Sequence, residues 1–275
     1  MIKENKIVEI TRPVRLELLQ DKFVLPPKIQ MKVDAYWKEL LQKNAHYSRG
    51  EVFTVSSIQE DADKIEIKLS HTDYAHFVYT RDVGLPTEYA CVNVHTSCAI
   101  ETIDDVLVLG VMGKNTAKAG ILQFVGGGLD YADVRGHEID LEHNIVKELQ
   151  EEVGIDVSNK KQVSELQFRY LKYTNNEKYS SIAAIFHLKL KLSEREFRLH
   201  YKKFEKELKT VGKMPEFREM TYLPKNRAAI HELLSAKKIN RVDHYMEALL
   251  GELAAQESPK NVDSERNTWP FGKIA

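Results

Sequence analysis

Little in this sequence is in excess. Cysteine is confined to Cys91 and Cys98, too few for a disulfide framework, and that usage fits a reducing compartment. No apolar run approaches the roughly 20 residues that cross a bilayer, and the opening stretch MIKENKIVEI lacks the apolar core of a secretory signal. Glycine (13) and proline (8) are too sparse for a low-complexity or collagen-like chain. Charge of one sign does not accumulate either: 40 Lys+Arg oppose 41 Asp+Glu. That balance favours neither a strongly basic nucleic-acid binder nor a solvating acidic chain. The expectation is a soluble, cytoplasmic protein with no membrane and no nucleic-acid partner. Its 275 residues, 43% of them hydrophobic, suffice for one large domain or two modest ones.

Patterning along the chain divides it. Pro26 and Pro27 stop whatever precedes them, and Val33, Tyr36, Trp37, Leu40 and Leu41 predict an amphipathic helix over about 32–43. EVFTVSSI and KIEIKLS alternate apolar and polar residues around QEDAD, which predicts a β-hairpin. Gly84 and Pro86 mark a junction, so residues 1–88 are expected to form a small β-rich domain. Beyond it, paired strands are expected over 91–113 and 166–192, a short strand in 120–125, and another over 219–224. Phe197, Tyr201, Phe204 and Leu208 set a helix within 193–213, with its aromatic stripe in a core or a dimer contact. Further helices are expected near 226–236 and 240–256, and a polar tail follows from Ser258 with Trp269 and Phe271 as docking candidates. Strands and helices mix without βαβ alternation, which indicates an α+β fold. The expected divisions are 1–88, 89–236 and 237–275.

The chemistry concentrates in FVGGGLDYADVRGHEIDLEHNIVKELQEEVGI, residues 124–155. Asp140 is a good N-cap, Glu142 suits a first turn and Gly154 suits a left-handed C-terminal cap, so a helix over about 141–153 is predicted. Ile145, Val146, Leu149 and Val153 form its apolar stripe. Glu148, Glu151 and Glu152 share an adjoining arc and repel one another unless something positive compensates them. Hard divalent cations take oxygen ligands, and Mg²⁺ bridges carboxylates to substrate phosphate. The Gly126-Gly127-Gly128 turn can bring bare backbone close to a ligand. Together these features describe a metal cradle beside a phosphate-accommodating loop.

The segment resembles the Nudix box, G-x5-E-x7-R-E-U-x-E-E-x-G-U with U aliphatic. Glu148, Leu149, Glu151, Glu152, Gly154 and Ile155 match its second half position by position. Lys147 stands where the family has arginine, keeping charge but losing the bidentate fork. Ile139 falls at the first acidic position, and Glu138 misses it by one. The resemblance covers about 89–236. It implies a Nudix-type α/β/α sandwich with a mixed sheet, here preceded by the β-rich segment and followed by C-terminal helices. It also implies Mg²⁺ (or Mn²⁺) held principally by Glu148 and Glu152, with Glu151 completing the site or orienting the attacking water. The implied reaction is hydrolysis of a pyrophosphate bond in a nucleoside diphosphate linked to another moiety, with Gly127 and Gly128 at the substrate. Glu216 and Glu219 are candidates for a further ligand or the base, each with an ordinary exposed acid as the alternative.

The segment EVFTVSSI…KIEIKLSHTDYAHFVYTR is similar to the hairpin plus T-x-Y preceding the Nudix domain in a subgroup cleaving UDP-glucose and UDP-galactose. That likeness nominates Thr72, Tyr74 and Arg81, the tyrosine for base or sugar and the arginine for phosphate. A packed tyrosine and a surface arginine are the plainer readings. Two rival functions stay open. One is a non-hydrolytic nucleotide-binding or regulatory Nudix protein, favoured by Lys147 and the altered loop. The other is an isoprenoid diphosphate isomerase, which needs a catalytic cysteine. Cys91, His95 and Cys98 do not share one strand face, and no fourth ligand accompanies them, which argues against structural zinc. The basic run from Lys189 to Lys209 reads as a solvated helix face, with a lid reaching substrate phosphates as the lesser alternative.

Overall fold

The computed structural model describes residues 2, 4–43, 48–114, 116, 119–176, 179–236 and 245–257. The fold is α+β, with two sheets and helices at the C-terminal end. Its strands are β1 (Lys6–Glu9), β2 (Val14–Lys22), β3 (Glu51–Glu60), β4 (Ile65–Asp73), β5 (Asn93–Glu101), β6 (Val106–Met112), β7 (Leu122–Gln123), β8 (Val134–Arg135), β9 (Glu138–Ile139), β10 (Val163–Asn175), β11 (Ser180–Leu190) and β12 (Phe217–Pro224). Its helices are α1 (Pro27–Lys43), α2 (Tyr74–Asp82), α3 (Leu141–Val153), α4 (Glu194–Thr210), α5 (Arg227–Ser235) and α6 (Met246–Glu257). One sheet runs β1-β10-β11-β5-β6-β12 with β7 on β6, and the other runs β3-β4-β2-β9-β8. The chain forms two compact units interleaved in sequence, and β5, β10 and β11 carry residues of both. No helix among the described residues is long and apolar enough to cross a membrane.

The first unit comprises Met1–Thr96, Gly127–Asn144 and Tyr170–Ala184. Its sheet is mixed: β4 pairs antiparallel with β3 and parallel with β2. Alternation decides which face is buried: Ile65, Ile67 and Leu69 of β4 are sealed, as are Leu16 and Leu18 of β2. Pro27 stands at the first position of α1, where its missing N–H is no loss, so the helix starts earlier than its apolar spacing alone suggests. Val33 and Trp37 of α1 pack with Leu25, Ala75 and Tyr79. Asp73 caps α2 through the His76 N–H (2.9 Å). Buried His76 donates from Nε2 to the Tyr89 carbonyl (2.8 Å) and meets the Thr72 hydroxyl with Nδ1 (2.7 Å).

The second unit comprises Ser97–Gly126, Ile145–Arg169 and Ile185–Ala275. β6 is central to it, pairing antiparallel with β5, β7 and β12, and β12 slips register between Phe217 and Glu219. The carboxylate of Glu101, buried at the end of β5, lies 2.7 Å from both His187 Nε2 and Lys225 Nζ. The Tyr245 hydroxyl, just before α6, lies 3.2 Å from His187 Nδ1. The helix expected near 240–256 is present as α6, whereas Trp269 and Phe271 lie outside the described residues.

Burial by itself would raise the pKa of Glu101, but His187 and Lys225 outweigh it and hold the carboxyl at about 2, below its ordinary 4.5. The unfolded chain therefore takes up this proton at higher pH than the folded protein does. The resulting stability is whole above the unfolded value and is lost as pH falls through the folded one. Acid titration of the unfolding free energy should show this loss below pH 4.5, and the slope should be shallower in Glu101→Gln. An identical slope in that variant would remove Glu101 as its source.

Candidate functional site

Helix α3 forms where its sequence signals place it. The Asp140 carboxylate accepts the His143 N–H (2.9 Å), and Gly154 takes φ +70° just past the last turn. Ile145, Leu149 and Val153 are completely buried. The stripe differs from expectation at its margins: Val146 is half-exposed, and Glu152 is 2% exposed. At about 100° per residue, Glu152 and Val146 flank the stripe symmetrically, so only the packing selects which is covered. Glu148 is half-buried and Glu151 is exposed, because the latter points about 160° from the stripe centre.

The structure therefore sorts the three helix acids. Glu152 is the interior one, and its carboxylate accepts the Gly126 N–H (3.1 Å). Burial raises its pKa well above the ordinary carboxylate value, the negative charges of Glu216 and Glu148 raise it further, and the Gly126 N–H opposes them. A carboxyl in that setting favours a proton or a cation over standing bare. Glu216, just before β12, thus joins Glu148 among the charges that act on Glu152. The Glu216 carbonyl accepts the Gly113 N–H (2.7 Å), and a Cβ on Gly113 would fall 2.8 Å from that oxygen. Among the described residues, no three His, Cys, Asp or Glu side chains converge tightly enough to form a closed metal-ligand set.

The glycine turn belongs to both units. Gly126, in the second, has φ 151°, a conformation that favours glycine. Gly127 and Gly128, in the first, run beside β5: the Gly127 carbonyl accepts the Thr96 N–H (2.9 Å), and Gly128 bridges His95. A Cβ on Gly128 would meet nothing within 4 Å, so no crowding requires glycine there. Behind this turn sits a buried polar network that the sequence reading missed. Asn144 donates to the Gly128 carbonyl (3.1 Å) and to Asp133 Oδ2 (2.8 Å), and it accepts the Thr96 hydroxyl. Asp133, itself fully buried, also takes the Asp130 N–H (2.9 Å) and meets His143 Nδ1 (3.1 Å). The available signal was an asparagine inside a helix, a poor choice there unless its amide has partners.

Glu219, in β12 of the second unit, is exposed, while Thr72, Tyr74, Arg81 and Glu138 are occupied within the first unit. Tyr74 is half-buried against Trp37 and Phe77, and Thr72 meets His76. Arg81 pairs with Asp82 (2.7 Å) and lies over the Phe77 ring. Glu138 forms an ion pair with Arg15. Both thiols are buried: burial pushes Cys91 up to about 12 and Cys98 up as well, leaving neither as a ready nucleophile.

No protein-family model matches the sequence, and no curated protein matches it. Among solved structures the chain is similar to a MutT protein from Methanosarcina mazei Go1 at 13% identity, covering 61% of this chain and 96% of that one, TM-score 0.37. It is similar to a NUDIX-family hydrolase from Clostridium perfringens at 14% identity, covering 60% and 98%, TM-score 0.35. It is also similar to the NUDIX domain of Shewanella oneidensis NrtR complexed with ADP ribose, at 12% identity, covering 65% and 96%, TM-score 0.34.

Because the folded state holds the Glu152 proton more tightly than the unfolded chain, Glu152 subtracts stability as pH rises above its unfolded value of 4.5. Glu152→Gln should therefore raise the melting temperature of the metal-free protein at neutral pH, and the gain should shrink towards pH 4.5. A variant less stable than wild type at neutral pH would contradict this.

Proposed function

We propose that this protein is a Nudix-type pyrophosphohydrolase, cleaving a pyrophosphate bond in a nucleoside diphosphate joined to another moiety. The carrying observation is Glu152, buried at a position of the motif's second half, in the company of Glu148 and Glu216. A buried carboxyl among like charges calls for a positive counterpart. The donors are hard oxygens that suit Mg²⁺ or Mn²⁺. Mg²⁺ commonly uses one or two carboxylates, keeping water and substrate phosphate for the rest, so a closed protein cage is not required. We assign Glu148, Glu152 and Glu216 to hold it; Glu151 enters only through its place in the motif. When bound, such an ion neutralises charge on the bridging and leaving oxygens.

The chain's own contribution is positional. The Gly126 N–H fixes one oxygen of Glu152. The backbone of Glu216 is held by the Gly113 N–H, and exposed Glu151, assigned by its place in the motif, is suited to orient the attacking water. By sequence resemblance we assign residues 89–236 to the catalytic fold, Gly127 and Gly128 to the substrate phosphates, and Tyr74 and Arg81 to the rest of the substrate. A nucleotide sugar such as UDP-glucose is the preferred substrate class, supported by the T-x-Y likeness.

A second reading, nucleotide binding without hydrolysis, is favoured by Lys147 and by Glu138, whose carboxylate is already paired with Arg15. The isomerase reading gains nothing from two buried thiols of raised pKa.

Incubation with nucleotide sugars, dinucleotides and coenzyme derivatives, with product chromatography, should reveal nucleoside monophosphate release that requires Mg²⁺ or Mn²⁺. Glu152→Gln should lower kcat by about 100-fold or more, the scale on which a lost electrostatic group acts, while the fold persists. Nucleotide binding without any phosphoanhydride cleavage would favour the second reading, and full activity in Glu152→Gln would defeat the first.

A further inference from the structure

Helix α4 has no part in the motif, yet it touches the backbone directly after each of two carboxylates. His200 Nε2 donates to the Val153 carbonyl (3.0 Å), one residue beyond Glu152. The adjacent Tyr201 donates its hydroxyl to the Phe217 carbonyl (3.3 Å), one residue beyond Glu216. Packing reinforces both bonds. Phe204 lies under Gly154, where a Cβ would come within 2.5 Å of its ring. Arg198 sets its guanidinium 3.5 Å above the Tyr222 ring of β12. On its other side β12 is clamped to β6, because the Phe217 ring fills the space that a side chain on Gly110 would need. Glu216 lies just before β12, its carbonyl held by the Gly113 N–H beside the Phe217–Met112 pair, so these contacts act together with strand pairing in determining where it sits.

We infer that α4 is a brace setting the separation of Glu152 and Glu216, with His200 and Tyr201 as its two positioning residues. The inference rests on the metal-site reading above and deepens it. A ring nitrogen and a phenol on consecutive residues point in different directions from a helix, about 100° apart. Lying between the end of α3 and the start of β12, α4 uses both. Tyr201 is 5% exposed, and burial together with the charges of Glu205 and Glu152 raises its pKa, so it stays protonated and remains a donor.

The test uses the full chain and Mn²⁺ alone, with free Mn²⁺ counted by electron paramagnetic resonance. Tyr201→Phe, which removes only a hydroxyl, should weaken Mn²⁺ binding about tenfold, the lower end for residues supporting a ligand. The Tyr201→Phe/Glu216→Gln double variant should bind no worse than Glu216→Gln, because the tyrosine acts through that acid. His200→Leu should weaken binding in the same way through Glu152, and His200→Gln, which keeps an N–H donor, should restore it. If wild type binds Mn²⁺ and Glu152→Gln weakens it, two results would each overturn the brace alone. One is unchanged affinity in both Tyr201→Phe and His200→Leu. The other is a Tyr201→Phe effect of equal size with and without Glu216. Absence of Mn²⁺ binding in wild type, or an effect missing in Glu152→Gln, would instead remove the metal reading and the brace with it.

Discussion

The second unit is organised around a carboxyl group held where carboxylates are rarely tolerated. Glu152 shares a helix face with Ile145, Leu149 and Val153, all completely buried. Its charge is opposed by burial and by two acidic neighbours, and relieved by one backbone N–H. An ionised group in that position is costly unless compensated. The neighbouring glycines make better sense in this light. Gly126 can present its N–H to Glu152 from a backbone conformation other residues avoid, and Gly113 lets its own N–H approach the Glu216 carbonyl.

Support for this arrangement comes from elements with no motif of their own. β12 brings Glu216, β6 fixes β12, and α4 binds the backbone beside both acids. In the first unit, Asn144 and Asp133 do comparable work for Gly128 and the turn that follows it. Both arrangements rely on backbone carbonyls met by side-chain donors, which fix a loop's position more tightly than apolar contact does.

Much of the fold was legible in sequence because its elements carry strong local signals. The aromatic stripe of α4, the Asp140 cap and Gly154 stop of α3, and the alternation in β3 and β4 all point to what formed. Less legible were α2 and the two-residue strands β8 and β9. The helix has a buried, weakly amphipathic sequence, and the short strands exist only because a partner lies alongside. α1 begins before its apolar spacing does, because Pro27 is tolerated at the first helical position.

By itself the sequence determined that three glutamates crowd one arc of a capped helix behind a glycine turn, since spacing along a helix is a local property. It could not rank them. Glu152 and Val146 are equivalent by angle, and only the elements packed against α3 decide that the acid is covered and the valine is not. Likewise Glu216 lies 64 residues from Glu152 in the chain, read from their positions, and its membership of the cluster depends on a strand register and a helix contact. Those are long-range matters of packing, so they appear only when the chain has folded.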